Sequence, residues 1–395
     1  MKIVFAHTDF RVYWPVRLRR LREYLQGRSV QLQVVEIAGK GSPYAFAGNS
    51  DSREGWRCLF PEATMEEIKP SRACAALSGA LDELNPDVVF AGALAFPSGA
   101  TALRWAKQHG RKVVIFDDAL APETPRAAVI NAVKRRLFAH VDAWLMSAPS
   151  RVADCTDWGV PMEKIFFSVT CVDNAFFARH SDATRSEAMQ RRRQLNLPER
   201  FLLGVGRQVP KKNWARLLEA WRAASLQGWS LVLVGNGPER PRLEAAAPGN
   251  VVFRDFVSQE VLAAYYGLAS ALVLPSLRGE SWGLVVNEAM ASGLPVLVSR
   301  QCGCAASLVE EGNNGWLFDG EKTEEITATL RECATSSQLL QMGAQSRKII
   351  AHWGLERFCE GVWEALRYAL QHPTPPLRFT DRLLIEHWKG RYRPT

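Results

Sequence analysis

Short apolar runs that alternate with helical stretches limit this chain more than any other feature. In the first half the runs are Lys2 to Ala6, Leu32 to Ile37, Asp87 to Ala91, Lys112 to Phe116 and Ala143 to Met146. Strands that alternate with helices predict a parallel sheet covered by helices on both faces, an α/β fold. Ligands of such sheets bind outside the carboxyl ends of the strands. The loops that begin at His7, Ala91 and Asp117 are therefore the ones to inspect.

The second half repeats the pattern with runs at Phe201–Gly206, Ser230–Val234, Val251–Phe253, Ala271–Pro275, Val296–Ser299 and Asn314–Phe318. A chain of 395 residues favours two domains, each able to bury its own core. We expect the first domain over residues 1–178, a charged linker over 179–200 and the second domain over 201–371. The tail from about 372 to 395 follows a proline-rich break at 373–376 and is expected to cross back to the first domain.

Chemistry concentrates after two strands of the second half. The run Ala271–Pro275 leads through a polar loop holding Glu280 into a helical stretch that contains Glu288 and is ended by Gly293 and Pro295. Apolar residues surround Glu288 on that helix (Leu284, Val285, Val286, Ala289, Met290), so its carboxylate needs a partner, structural or functional. The other loop, Arg207 to Asn213, precedes a helix that starts at Trp214. Arg207 offers a planar fork and Lys212 a point charge, the donor types that suit phosphate oxygens. Gly204-Val-Gly206 does not start a dinucleotide fingerprint, because position 209 is Val where a third glycine is required.

Glu280-x7-Glu288, with Trp282-Gly283 between and Ala289-Met-Ala-Ser-Gly293-Leu-Pro-Val296 after, resembles the donor-sugar motif of family 4 retaining glycosyltransferases, the group 1 glycosyltransferases of GT-B fold. Val172-Asp173 with Phe177, and Asn314-Gly315 with Leu317-Phe318, are similar to two further family segments. The resemblance implies two Rossmann-like domains facing across a cleft, with a nucleoside diphosphate sugar held by the second and an acceptor by the first. It assigns Glu280 to sugar hydroxyls, Glu288 to the ribose, and Arg207 and Lys212, rather than Lys211, to the diphosphate. Glu280, Arg207 and Lys212 are the catalytic candidates. Gly235, Val257, Ser281, Trp282, Gly283 and Leu284 complete the donor-binding set. The implied reaction is a hexosyl transfer to an acceptor hydroxyl with retained anomeric configuration. No aspartate-rich metal motif is present, and no cofactor or metal is expected.

On the acceptor side the chain departs from the family. Thr8 and Asp9 stand where many members have a Gly pair, and Asp117-Asp118 where many have a His. His7, Asp9, Asp117 and Asp118 are the acceptor-side candidates, His7 as a base or as a hydrogen-bonding loop residue. In the first predicted helix, Trp14, Leu18, Leu21 and Leu25 form one apolar stripe, while Arg17, Arg19, Arg20 and Arg22 fill much of the remainder. That basic face, extended by Lys134-Arg135-Arg136, is either solvated or rests on anionic lipid. A net charge of +8 suits anionic lipid or a phosphorylated substrate, and no zinc-finger or RNP signature points to nucleic acid.

The first residues turn polar too soon for a signal peptide, and eight cysteines without a C-x-x-C pair suit reduced thiols. We therefore expect a cytoplasmic protein, in peripheral contact with the membrane, acting on a cell-envelope or exopolysaccharide glycan or a lipid-linked acceptor. The alternatives are a nucleotide-sugar epimerase or phosphorylase on the same fold, and a non-catalytic nucleotide-sugar binder.

Overall fold

The computed structural model describes residues 1–40, 55–117, 128–374 and 376–391. The chain forms two compact units, Met1–Val169 with Leu355–Thr395, and Thr170–Gly354.

The first unit is built on β1 (Lys2–His7), β2 (Gln31–Ala38), β3 (Trp56–Phe60), β4 (Val88–Ala91), β5 (Lys112–Phe116), β6 (Ala143–Met146) and β7 (Ile165–Phe167). They form one seven-stranded sheet in the order β3-β2-β1-β4-β5-β6-β7, and every neighbouring pair is parallel. The five apolar runs are all strands, because a parallel strand covered on both faces must be apolar throughout. β3 and β7 fall outside those five runs. β3 lies at the sheet edge with Arg57 exposed, and β7 is three residues long.

The second unit is built on β8 (Phe201–Val205), β9 (Ser230–Val234), β10 (Val251–Arg254), β11 (Ala271–Leu274), β12 (Val296–Ser299) and β13 (Gly315–Phe318). All six strands are parallel, in the order β10-β9-β8-β11-β12-β13. Both units are thus Rossmann-like, each with its strand order reversing beside its first strand, at β1/β4 and at β8/β11. Trp214, Trp221, Tyr266, Phe201 and Phe318 fill the core of the second unit.

The unit boundaries differ from those expected. Residues 179–200 are no linker: helices Asn174–Ser186 and Ala188–Leu195 belong to the second unit. Ser181 Oγ donates to the Ala263 carbonyl at 2.9 Å, and Arg192 Nη2 to that of Leu268 at 3.1 Å. The charge that suggested a linker is the outer face of these helices. At the other end, the return to the first unit starts at Leu355 rather than near 372. Helix Leu355–Gln371 buries Phe358, Val362, Ala365 and Leu366 and packs on β5, β6 and β7.

The basic helix, Trp14–Gln26, is also differently disposed. Arg17 is buried with its guanidinium over the Trp14 ring, and Arg20 is paired with Glu23 and Glu356. Lys134 is buried over the Trp158 ring. Arg19 is exposed and Arg20 and Arg22 are half-buried, so the cationic surface of this helix is smaller than its composition suggests. No helix among the described residues is long and apolar enough to cross a membrane.

Candidate active site at the β8/β11 switch point

The crevice beside β8 and β11 is where an open parallel sheet of this order takes its ligand. The loop leaving β8 carries Arg207 and Lys212, and the loop leaving β11 carries Glu280. Backbone and side-chain bonds join the two loops: Leu277 N–H donates to the Lys211 carbonyl at 2.8 Å and Asn213 Nδ2 to that of Pro275 at 3.1 Å. Asn213 stands in left-handed backbone, φ 60°, at the mouth of helix Trp214–Ala224, and its side chain also reaches the Gly320 carbonyl at 2.7 Å.

Across this seam Lys212 Nζ lies 2.5 Å from Glu280 Oε2, with side-chain exposures of 11% and 13%. Ser276 Oγ donates to the same carboxylate oxygen at 3.2 Å. The ammonium has three donors, so it can keep Glu280 and still offer hydrogens to an incoming anion. Arg207 is half-buried, and its carbonyl accepts from Trp214 Nε1 at 3.0 Å, which fixes the backbone from which the guanidinium projects.

The β11 loop is tied down from the other side. Gly303 N–H donates to the Glu280 carbonyl at 3.0 Å and Cys304 N–H to that of Trp282 at 3.1 Å. Trp282 Nε1 donates to Asn287 Oδ1 at 2.9 Å, and Asn287 Nδ2 to the Thr170 carbonyl at 3.0 Å. Gly283, at φ 100°, turns the chain into helix Leu284–Ala291. A Cβ there would come within 2.9 Å of Leu274 Cδ2. Ser281 is exposed, Trp282 and Gly283 are buried, and Leu284 is half-buried.

Cys302 and Cys304 sit behind Glu280. Burial, reinforced by that carboxylate, pushes the Cys302 thiol up to about 12 and the Cys304 thiol well above its usual range. Both are packing groups rather than nucleophiles.

Glu288 is 1% exposed and accepts from the Tyr266 hydroxyl at 2.7 Å. Tyr266 packs against Phe177, whose helix is capped by Asp173 accepting from Phe176 N–H at 2.9 Å. The Val172-Asp173…Phe177 segment thus supports the helix that carries Glu288. Gly235 is buried at the end of β9, and Val257 is half-buried in the loop after β10. Gln208, 1% exposed, holds the β9 loop through Nε2 to the Gly235 carbonyl at 3.1 Å.

In the first unit, His7 and Asp9 stand at the end of β1 and Asp117 at the end of β5, whereas Asp118 lies outside the described residues. Burial pushes the His7 imidazole below its ordinary value, and the nearby Asp9 carboxylate opposes that. His7 Nδ1 is buried without a hydrogen-bond partner among the described residues.

Comparison with known proteins decides the family. Residues 186–348 match the model of glycosyl transferases group 1, and residues 15–167 match that of the glycosyl transferase 4-like domain. The chain belongs to the group 1 glycosyltransferases. A Haemophilus influenzae glycosyltransferase is 30% identical over 193 residues, 47% of this chain and 54% of that protein. The chain therefore spans about half the length of that relative. A Mycobacterium tuberculosis GDP-mannose-dependent α-(1-6)-phosphatidylinositol monomannoside mannosyltransferase is 28% identical over 304 residues, 67% of this chain and 78% of that enzyme. Among solved structures, Anabaena HepE in complex with UDP-glucose superposes with a TM-score of 0.73 at 17% identity, covering 93% of this chain and 99% of that one. At that identity the likeness shows the fold, and this group 1 glycosyltransferase shares the GT-B architecture.

Ser276, Tyr266, Asn213 and Gln208 were not singled out in the sequence. Tyr266 lies 22 positions from Glu288 on another helix, so no spacing rule connects them. Asn213 did carry a signal, a residue tolerant of left-handed backbone immediately before a helix.

Proposed function

We propose that this chain is a retaining glycosyltransferase that moves a sugar from a nucleoside diphosphate sugar to an acceptor hydroxyl. The observation that carries this reading is the Lys212–Glu280 pair, 2.5 Å apart at the β8/β11 switch point, in a chain whose two halves match two glycosyltransferase family models.

Breaking the bond between the anomeric carbon and the diphosphate leaves charge on phosphate oxygens. Arg207, Lys212 and the N-terminus of helix Leu284–Ala291 would stabilise it as it develops. Glu280, held by Lys212 and Ser276, would grip sugar hydroxyls so that the anomeric carbon keeps one face towards the acceptor. The acceptor oxygen bonds to that carbon on the face the diphosphate leaves, and its proton passes to the departing phosphate oxygen. Glu280 is then a positioning carboxylate and forms no bond to the sugar. The chemistry assigned to these side chains calls for no metal or cofactor. We assign the acceptor to the first unit and take it to be a cell-envelope or lipid-linked glycan handled at the cytoplasmic face of the membrane.

The test starts with a panel that includes UDP-glucose, bound in the HepE structure, and GDP-mannose, on which the mycobacterial enzyme depends. A donor at about 100 times its Kd stabilises by about 2.7 kcal/mol, which raises Tm by about 5–10 °C for a unit of this size. Release of nucleoside diphosphate should then depend on added acceptor, and NMR should show the donor's anomeric configuration in the product. No shift with any nucleotide sugar, or rapid donor consumption without acceptor, would contradict the reading.

A further inference from the structure

The first unit has a switch point of its own, where its strand order reverses between β1 and β4. Buried polar groups without hydrogen-bond partners among the described residues stand on the segments that follow these two strands. Arg11 is 6% exposed, and none of its Nε, Nη1 and Nη2 atoms has a hydrogen-bond partner among those residues. Its ion-pair contact is Asp9 Oδ2 at 3.4 Å. Thr8 Oγ1, at 5% exposure for the residue, and Ser98 Oγ, at 0%, are likewise buried without a partner, as is His7 Nδ1. Thr8, Asp9 and Arg11 follow β1, and Ser98 lies in the first turn of helix Pro97–Gln108, which follows β4. The two segments touch: the His7 and Phe96 rings are 6.4 Å apart, and a Cβ on Gly92 would lie 2.2 Å from His7 Nδ1. Val12 beside Arg11 holds φ at 59°, a conformation that costs a β-branched residue about 1–3 kcal/mol.

A buried guanidinium that makes no hydrogen bond is expensive, and folding alone does not account for it. Arginine is matched to oxyanions because its fork donates two parallel N–H bonds. The hydroxyls of Thr8 and of Ser98, the latter in the first turn of a twelve-residue helix, add donors beyond the pair that the fork gives a carboxylate. We propose that Arg11 is the anion-recognition residue of a ligand site at the β1/β4 switch point, and that the acceptor is recognised there through a phosphate group. Asp9 holds the guanidinium until the anion arrives. The identity of the ligand as acceptor rests on the function proposed above, whereas the anion site itself does not.

Inorganic phosphate titrated into the full chain at constant ionic strength, with Tm as the readout, tests this against Arg11→Met and Arg11→Lys. Phosphate should raise Tm of the wild type. Arg11→Met should shift the half-saturating phosphate concentration upward by more than tenfold. In the absence of phosphate its Tm should equal or exceed that of the wild type, because an unsatisfied cation has been removed. Arg11→Lys keeps the charge and loses the fork, and should bind phosphate at least severalfold more weakly. A purely structural Asp9–Arg11 pair gives the opposite sign, a lower Tm in Arg11→Met with phosphate stabilisation unchanged, and that result overturns the proposal. The nucleotide-sugar shift is read in parallel on the same variants. A donor shift that persists while phosphate stabilisation survives Arg11→Met defeats the anion site alone. An Arg11-dependent phosphate shift without any donor shift defeats the proposed transfer and leaves the anion site standing.

Discussion

Lys212→Met is expected to lower kcat by more than tenfold and to lower stability, and adding Glu280→Gln is expected to recover the stability without the turnover. In the single variant the Glu280 carboxylate, 13% exposed, loses the ammonium and keeps Ser276. Removing one member of a fully buried pair costs about 3–5 kcal/mol. Because both side chains keep some access to water, about 2–4 kcal/mol is the expected loss here. The amide that Glu280→Gln introduces carries no charge to strand, so the double variant should regain most of this. Turnover should not return, because a tenfold loss corresponds to about 1.4 kcal/mol of transition-state stabilisation that the ammonium gives the diphosphate. Stability and kcat measured on the two variants separate the structural part of the pair from its chemical part. Wild-type kcat in Lys212→Met would remove Lys212 from the mechanism.

Gly235→Ala is the second large effect. Gly235 has φ of 140°, and a Cβ there would lie 2.1 Å from the Gly206 carbonyl oxygen, a backbone atom that no rotamer change can move. Gly206 N–H donates to the Val234 carbonyl and Gly235 N–H to that of Arg254, so the ends of β8, β9 and β10 are locked together at this point. The alanine must push β9 away from Gly206 and with it disturb the loop that carries Arg207 and Lys212. Strain and displacement together should cost about 3 kcal/mol, a fall in Tm of about 6–12 °C, with loss of the nucleotide-sugar shift. Gly249→Ala is the control, since a Cβ there meets no described atom within 4 Å, and it should leave both Tm and donor binding near wild type. A Gly235→Ala protein with normal Tm would show that the three strand ends yield more easily than their bonding indicates.

Much of the fold was legible because parallel strands covered on both faces must be apolar from end to end. Eleven of the thirteen strands among the described residues coincide with the largely apolar runs, and the two that do not, β3 and β7, are an edge strand and a three-residue strand. The unit boundaries were not legible, since charge on residues 179–200 looks the same on a solvated linker as on the outer face of two packed helices. Helix Leu355–Gln371 has the same apolar stripe whichever sheet it covers. The basic helix misled for a related reason: composition counts Arg17 and Lys134 as surface charge, while the fold buries them on the Trp14 and Trp158 rings. In the candidate site the sequence indicated Lys212 and Glu280, which the fold brings into contact. It could not supply Tyr266, which acts through tertiary proximity, or Ser276, which lies four residues before Glu280 in the same loop but carries no pattern of its own. Arg11 was hidden among other arginines of the same stretch, and only its burial without a hydrogen bond among the described residues separates it from them.

The central claim is that a nucleotide-linked sugar sits where the β8 and β11 loops meet. A crystal structure of the chain soaked with the donor that gives the largest Tm shift tests it most directly. The diphosphate should lie within hydrogen-bonding distance of Arg207 and Lys212, and the sugar should lie against Glu280. Donor bound at any other place, with the Lys212–Glu280 pair untouched, would contradict it.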